Sequence, residues 1–374
     1  MHKSKYITLL LGGILLFSCV DNRDTEIRFG NAVDKIQKEK APDHSLSVLD
    51  VELLRENNEW ILRGETTLPS AREEIIALAD SLLGNGAYKN ELRILPDTSL
   101  GENTYGIVTV SVAHLRDTPS VAAQMIDQEI MGYVVRLLKK ERGWFFVQTE
   151  YDYLGWMRGE SFFRTDSAGS SRWKNARKVM VTDLYPMIYS KPSLSAEPVS
   201  DAVLNMLLKI EETHPEWYKI SLPDGRTGYI RASAVSQEIN AQQSRKELAG
   251  NIIKTARSMM GIPYLWGGNS SKSNDCSGFT QNVFRAHGIT LPRDARQQVL
   301  VGLEVEYDES FATVLPGDLL FFGREDRITH VGISLGGSGF IHQSGMVQIN
   351  SLDSTAANFS SYRLNGLQKI KRIF

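Results

Sequence analysis

The sequence predicts a multidomain chain: a small α+β N-terminal region, two small all-β barrels, and a C-terminal α+β domain. Three observations carry that reading. The length of 374 residues exceeds one ordinary domain and suits roughly two to four. A set of residues recurs at a constant offset of 73 through the middle of the chain, the mark of a duplicated unit. From residue 244 onward, helical periodicity comes first and strand periodicity follows, the order of an α+β domain.

Composition is that of a globular protein, with 42% hydrophobic and 23% charged residues. The net charge of −2 gives no basis for a nucleic-acid partner. Residues 1–18 read as an export signal. His2, Lys3 and Lys5 are basic, and Ile7 to Phe17 is an apolar run too short to span a bilayer. Ser18 before Cys19 resembles a bacterial lipobox, which implies lipidation of Cys19 and a membrane anchor on the cell envelope; a plain signal peptide is the alternative. Asp21 to Asp24 then reads as a polar tether. Loss of Lys3 and Lys5 with the leader takes the net charge from −2 to −4, still too mild to imply a partner. A lipidated Cys19 leaves Cys276 without a disulfide partner, and an unpaired thiol in an exported protein is a candidate reactive group.

The N-terminal region, residues 19–104, contains two alternating runs, 48–57 and 60–67, joined by a turn at Glu56-Asn57-Asn58-Glu59. Ser70-Ala71-Arg72-Glu73 reads as a capping box opening an amphipathic helix, and Leu92 to Leu95 as a returning strand. No chemistry is visible there, which suits a packing or spacer role.

In the repeat, Pro119, Trp144 and Gly155-Trp156 recur as Pro192, Trp217 and Gly228-Tyr229. Short β-rich runs broken by turn residues give two barrels, residues 105–165 and 176–237. The first, with Leu115-Arg116, Pro119, Gly143-Trp144 and Gly155-Trp156-Met157, resembles a bacterial SH3 (SH3b) domain; the second is a more diverged copy. Trp144 and Trp156 suit core positions. Tyr151 and Tyr153, in a turn-like stretch, are better placed for ligand contact.

The last domain, residues 244–374, opens with an amphipathic helix at 245–260. Cys276 follows the turn Tyr264-Leu265-Trp266-Gly267-Gly268 and starts a helical apolar run, where the helix dipole favours the reactive thiolate. His330 and His342 lie downstream in strand-like segments flanking Gly336-Gly337-Ser338-Gly339. Cysteine, then histidine, then a third polar residue is the order of a cysteine peptidase. The even separation of the histidines puts them on one face only if the hairpin loop is odd or a bulge intervenes. No His/Cys/Asp spacing suggests a metal, and no cofactor is expected.

The motifs Pro263-Tyr264-Leu265-Trp266-Gly267-Gly268, Asp275-Cys276-Ser277-Gly278-Phe279, Leu291-Pro292-Arg293-Asp294, Pro316-Gly317-Asp318 and Thr329-His330-Val331-Gly332 resemble the NlpC/P60 family of cell-wall cysteine peptidases, whose catalytic domain is papain-like. Two SH3b domains ahead of it resemble the γ-D-glutamyl-L-diamino acid endopeptidases of muropeptide recycling. The resemblance implies Cys276 as nucleophile, His330 as general base and His342 as the residue that orients it. It implies Asp294 as a partner of the substrate's free L-Ala amine, completed by acidic and tyrosyl groups of the first SH3b domain, with Tyr153 (or Tyr151) and Asp117 as candidates. Ser277 and Tyr264 are further candidates for substrate contact, and Asp275 for a helix cap. The implied substrates are peptidoglycan-derived peptides, cut between γ-D-Glu and meso-diaminopimelate or L-Lys. A DL-endopeptidase of intact stems and a non-catalytic wall-binding lipoprotein are the alternatives.

Overall fold

The computed structural model describes residues 22–237, 243–325 and 327–374; the leader with Cys19 lies outside the described residues. The described residues form two compact units, 22–44 with 48–94, and 45–47 with those from 95 onward.

In the first unit, α1 (Asn22–Lys40) and α2 (Pro69–Leu83) accompany β1 (Leu49–Glu56), β2 (Glu59–Thr66) and β3 (Tyr88–Ile94). β1 and β2 are antiparallel, and β3 returns parallel to β2 after α2. The tether expected at 21–24 is corrected here: Asn22 to Asp24 begin α1. Phe29, Val33 and Ile36, spaced three and four apart, bury against Leu53, Leu62 and Ile75, and the surrounding charges hid that stripe. The capping box is also corrected. The α2 helix starts at Pro69 with Leu68 as an N-cap that makes no side-chain bond, so Ser70 lies inside the first turn. Proline fits the first position because its missing N–H would be unpaired there anyway.

The second unit opens with the two barrels. The first comprises β4 (Tyr105–Val108), β5 (Val112–Arg116), β6 (Met125–Ile130), β7 (Val134–Glu141), β8 (Trp144–Gln148), β9 (Leu154–Arg158) and β10 (Phe162–Thr165). After α3 (Ser167–Asn175), the second comprises β11 (Lys178–Val181), β12 (Met187–Tyr189), β13 (Pro198–Asp201), β14 (Leu207–Thr213), β15 (Trp217–Ser221), β16 (Thr227–Arg231) and β17 (Val235–Ser236). The strand orders are β10-β4-β7-β8-β9-β5-β6 and, read the same way, β17-β11-β14-β15-β16-β12-β13. Each strand of one copy has its counterpart in the other, so the 73-residue repeat is a repeat of topology. Ile130 and Met131 of the first barrel pack into the core of the second, so the pair share buried apolar surface.

The remainder holds α4 (Arg245–Ser258), a small ribbon of β18 (Asn269–Ser270) and β19 (Ser273–Asn274), α5 (Cys276–Arg285), α6 (Ala295–Gln298), β20 (Leu303–Glu304), β21 (Leu319–Arg324), β22 (Arg327–Gly336), β23 (Gly339–Ser344), β24 (Met346–Ser351), α7 (Ser361–Gly366) and β25 (Leu367–Arg372). The α4 helix carries a Ser244/Glu247 capping box. The sheet runs β20-β25-β21-β22-β23-β24. The α5 helix is buried along its whole length, with Phe279, Val283 and Phe284 packed in one core with Val331, Ile333 and Ile341 of the sheet.

Candidate active site

Cys276 is the first residue of α5 and only 8% exposed. Asp275 caps the helix, accepting from the Gly278 N–H at 2.7 Å, and its other oxygen accepts from the Gly267 N–H at 3.0 Å. Gly267 has φ +72, and a Cβ there would stand 2.5 Å from the Met125 carbonyl of β6, so only glycine lets the first barrel approach this turn. The expectation that the helix dipole favours the thiolate is revised. Burial, and then the adjacent Asp275 carboxylate, push the Cys276 thiol up to about 12, against opposing pulls from the Val331 and Ser277 N–H groups and Arg293. Desolvation outweighs the helix dipole here.

His330 and His342 share a face because of a bulge. Gly336 pairs with Gly339, but Ser334 pairs with Phe340 and Gly332 with His342, so Leu335 is the extra residue. His330 thereby becomes the diagonal neighbour of His342. His330 Nε2 and His342 Nδ1 are 2.8 Å apart, and His342 Nε2 and Asn350 Oδ1 are 2.8 Å apart. The Asn350 amide group donates to the Asn358 carbonyl, which assigns Oδ1 as the acceptor facing His342. The chain of bonds then has one consistent direction. His342 donates from Nε2, its Nδ1 accepts from His330 Nε2–H, and His330 Nδ1 is left with a free lone pair. Burial, with Arg363 adding to it, lowers His330 well below 6.5 and His342 to about 4, so both rings are neutral near pH 7.

A cleft of 890 Å³ has Cys276, Ser277, Tyr264, Trp266, Tyr153 and Asp294 in its walls. Tyr153 is buried, and its hydroxyl lies 3.3 Å from Asp294 Oδ1, joining the first barrel to the loop before α6. Asp294 also precedes α6, its N–H donating to Gln297 at 3.0 Å, so the cap and cleft positions coexist. Tyr264 is 37% exposed, and burial followed by the Cys276 charge raises its hydroxyl. Asp117 is corrected: it is exposed at the start of the turn after β5, where its N–H bonds to the Gln124 carbonyl, and Gln124 and Ile126 line the cleft instead. Tyr151 is corrected too, since its hydroxyl points to Asp127 at 2.6 Å and its ring faces Arg285, away from the cleft walls.

The sequence reading missed a buried ionic cluster between the first barrel and the catalytic helix. Arg293, 1% exposed, binds Asp127 of β6, Asp275 at 2.6 Å and Ser277 Oγ at 3.0 Å. Both carboxylates hold its guanidinium charged. Beside it, Arg285 pairs with Glu129 at 3.2 Å. Asp127, Gln128 and Glu129 are consecutive buried polar residues, a pattern no hydrophobic periodicity reveals. Asn350 was also missed, because an asparagine eight residues past His342 carries no motif. Among the described residues no group of three or more His, Cys, Asp or Glu is arranged to hold a metal.

Residues 261–364 match the NlpC/P60 family, residues 115–162 the bacterial dipeptidyl-peptidase Sh3 domain, and residues 187–236 the bacterial SH3 domain. The chain is a cysteine peptidase with an NlpC/P60 domain behind two bacterial SH3 domains. It is 28% identical over 258 residues to dipeptidyl-peptidase 6 of Lysinibacillus sphaericus, spanning 66% of this chain and 91% of that protein. Over 125 residues it is 41% identical to the gamma-D-glutamyl-L-lysine dipeptidyl-peptidase of Bacillus subtilis, covering 31% of this chain and 41% of that one. The solved structure of an NlpC/P60 family protein from Bacillus cereus shares the fold, with a TM-score of 0.62 at 22% identity over 72% of this chain and 99% of that one. This NlpC/P60 domain is joined to the first SH3 domain through the Arg293 cluster and the Tyr153–Asp294 contact.

Proposed function

We propose that the protein hydrolyses the bond between γ-D-Glu and the following diamino acid in short peptidoglycan peptides with a free N-terminal L-Ala. Cys276 is the nucleophile, and His330 Nδ1 takes its proton as the thiol attacks the γ-glutamyl carbonyl. The resulting acyl-enzyme is hydrolysed by water. His342 orients His330, and backbone N–H groups at the start of the Cys276 helix, Ser277 among them, donate to the developing oxyanion. Ser277 and Tyr264 contact the substrate beside Cys276. Asp294 receives the substrate ammonium.

The observation that carries this reading is the seating of Tyr153 of the first SH3 domain against Asp294 in the wall of the Cys276 cleft. An acidic group beside a domain wall suits a charged amine end and disfavours a chain that continues onto glycan. The names of the Lysinibacillus and Bacillus relatives support the same substrate class. A lipid on Cys19 would hold the enzyme on the envelope, where such peptides are released.

The test is cleavage of L-Ala-γ-D-Glu-diaminopimelate against its N-acetylated form. Release of L-Ala-D-Glu from the free amine alone is expected. Equal cleavage of both would transfer the reading to an endopeptidase of intact stems. Turnover no better than that of Cys276→Ala would remove the enzymatic reading. Labelling with radioactive palmitate, lost in Cys19→Ala, tests the anchor.

A further inference from the structure

Beside the active-site cleft lies a second hollow of 440 Å³, lined by Phe322, Gly323, Arg324, Arg327, Tyr362 and Arg363. Arg327 and Thr329 of β22 line both this hollow and the Cys276 cleft, so the two adjoin along that strand. Asp294 lies in the cleft and Arg363 in the hollow.

Arg363 is half-buried and has no carboxylate partner among the described residues. Its guanidinium lies over the Phe322 ring at 5.6 Å and the Tyr362 ring at 5.2 Å, and its one side-chain hydrogen bond is to Ser344 Oγ at 3.3 Å. Other buried arginines of this unit, Arg285 and Arg293, are each matched by an acid. A desolvated guanidinium held between two rings, with donors to spare, is configured for a planar anion. Burial lowers its pKa, as expected for a cation short of a counter-charge, and its charge is felt at Cys276, His330 and His342. The hollow therefore adjoins the reacting atoms. Arg324 and Arg327 are exposed at its rim and add positive charge.

We infer that this hollow, with Arg363 at its centre, binds a carboxylate carried by the amino acid that leaves as the amine product. The inference rests on the proposed function for the identity of that amino acid. The cleft and the hollow then carry an acid near the amine-binding end and a base at the other end. That polarity selects short zwitterionic peptides whose ammonium and carboxylate lie on opposite sides of the scissile bond. The carboxylate has two sources, the main-chain terminus of the leaving residue or the second carboxylate of diaminopimelate.

The test compares wild type with Arg363→Gln and Arg363→Lys on four substrates: L-Ala-γ-D-Glu-L-Lys, its C-terminal amide, L-Ala-γ-D-Glu-meso-diaminopimelate, and that peptide amidated at the main-chain carboxylate. A charge-assisted bond in a desolvated site corresponds to about 10- to 100-fold in kcat/KM. Wild type is expected to prefer carboxylate-bearing substrates by that factor. The preference collapses toward one in Arg363→Gln and persists in part in Arg363→Lys. A preference of the lysine acid over its amide assigns the main-chain carboxylate; retained cleavage of the amidated diaminopimelate peptide assigns the second one. Equal rates on all four substrates for wild type, or an equal loss on all four in Arg363→Gln, would overturn the inference. A readout free of the peptide is the rate of Cys276 alkylation by iodoacetate relative to iodoacetamide, followed at the Cys276 peptide by mass spectrometry. The ratio falls several-fold in Arg363→Gln if the anion site exists. If it falls while wild type cleaves none of the peptides, the proposed function fails and the anion site stands; an unchanged ratio counts against the site. Arg327→Gln, at the exposed rim, gives a smaller loss of preference and keeps the test open should Arg363→Gln not fold.

Discussion

Replacing Asp127 by alanine probes how the first SH3 domain holds the catalytic helix. The Asp127 carboxylate is fully buried and accepts from Arg293 Nε, from the Tyr151 hydroxyl at 2.6 Å and from Asn269 Nδ2 at 3.1 Å. Removing one partner of a buried ion pair costs about 3–5 kcal/mol. Arg293 keeps Asp275 at 2.6 Å, which places its share near about 3 kcal/mol. Tyr151 loses its acceptor, about 1 kcal/mol more, while Asn269 keeps its bond to Gln281. The expected loss is about 4 kcal/mol, with Asp127→Asn nearer about 2 because an acceptor remains. Urea unfolding followed by tryptophan fluorescence measures it, with Arg293→Met and the double variant completing a cycle. A loss below about 1 kcal/mol for Asp127→Ala, or a coupling to Arg293 within about 0.5 kcal/mol of zero, would refute the argument that this pair fastens the barrel to the helix.

Asn350→Leu should lower kcat by about 10- to 100-fold with little change in KM, since it frees the His342 tautomer without touching substrate, whereas Asn350→Asp, which keeps the acceptor, should retain most activity. The acid limb of kcat/KM should fall well below pH 6.5, because burial lowers His330 well below that value and His342 to about 4; a limb at 6.5 or above would contradict the burial of these rings. The same lowering makes the unfolded chain bind more protons than the folded one between about pH 4 and 6.5, so stability should rise with pH across that window and fall as acid is added, as denaturation midpoints would show. Iodoacetamide should alkylate Cys276 slowly at pH 7 and ever faster toward alkaline pH, because the free enzyme holds the protonated thiol; a rate already at its plateau by pH 7 would point to a resting thiolate.

The strands, the 73-residue repeat and the order of the catalytic groups were legible because each rests on local pattern. Trp144 and Trp217 open equivalent strands, and Gly336 to Gly339 form the hairpin between the histidine strands. What escaped depends on contacts between residues far apart in sequence. The bulge at Leu335 that brings His330 and His342 to one face changes no hydrophobic alternation, and both parities were open until the register was seen. Asp117 is exposed, and the acid that meets the catalytic domain, Asp127, sits in the next strand facing Arg293, 166 residues away in sequence. The α1 helix was hidden by its charge, with only three apolar side chains forming its buried stripe.

The two barrels share a topology, yet they contact the catalytic domain at different points. The first reaches its N-terminal end: β6 supplies Asp127 for Arg293, which in turn grips the Asp275 cap, and Tyr153 stands against Asp294 in the cleft. The second reaches further along. Asn205 donates from Nδ2 to the Asn282 carbonyl of the helix at 2.9 Å, and Tyr185 donates to the Ser271 carbonyl, in the ribbon turn before the helix, at 2.5 Å. Asn282 in turn donates to Gly278 one helical turn back, so the second barrel's contact is relayed toward the cap. The Asn205–Asn282 bond, buried on both sides, is satisfied only when both domains are docked. A variant lacking the second barrel would leave the Asn282 end of the helix without its partner, and its Cys276 should become more accessible to alkylation even though no residue of the cleft wall has been removed. Alkylation no faster than in the full chain would mean that the NlpC/P60 domain holds its own helix and that the second barrel serves something else.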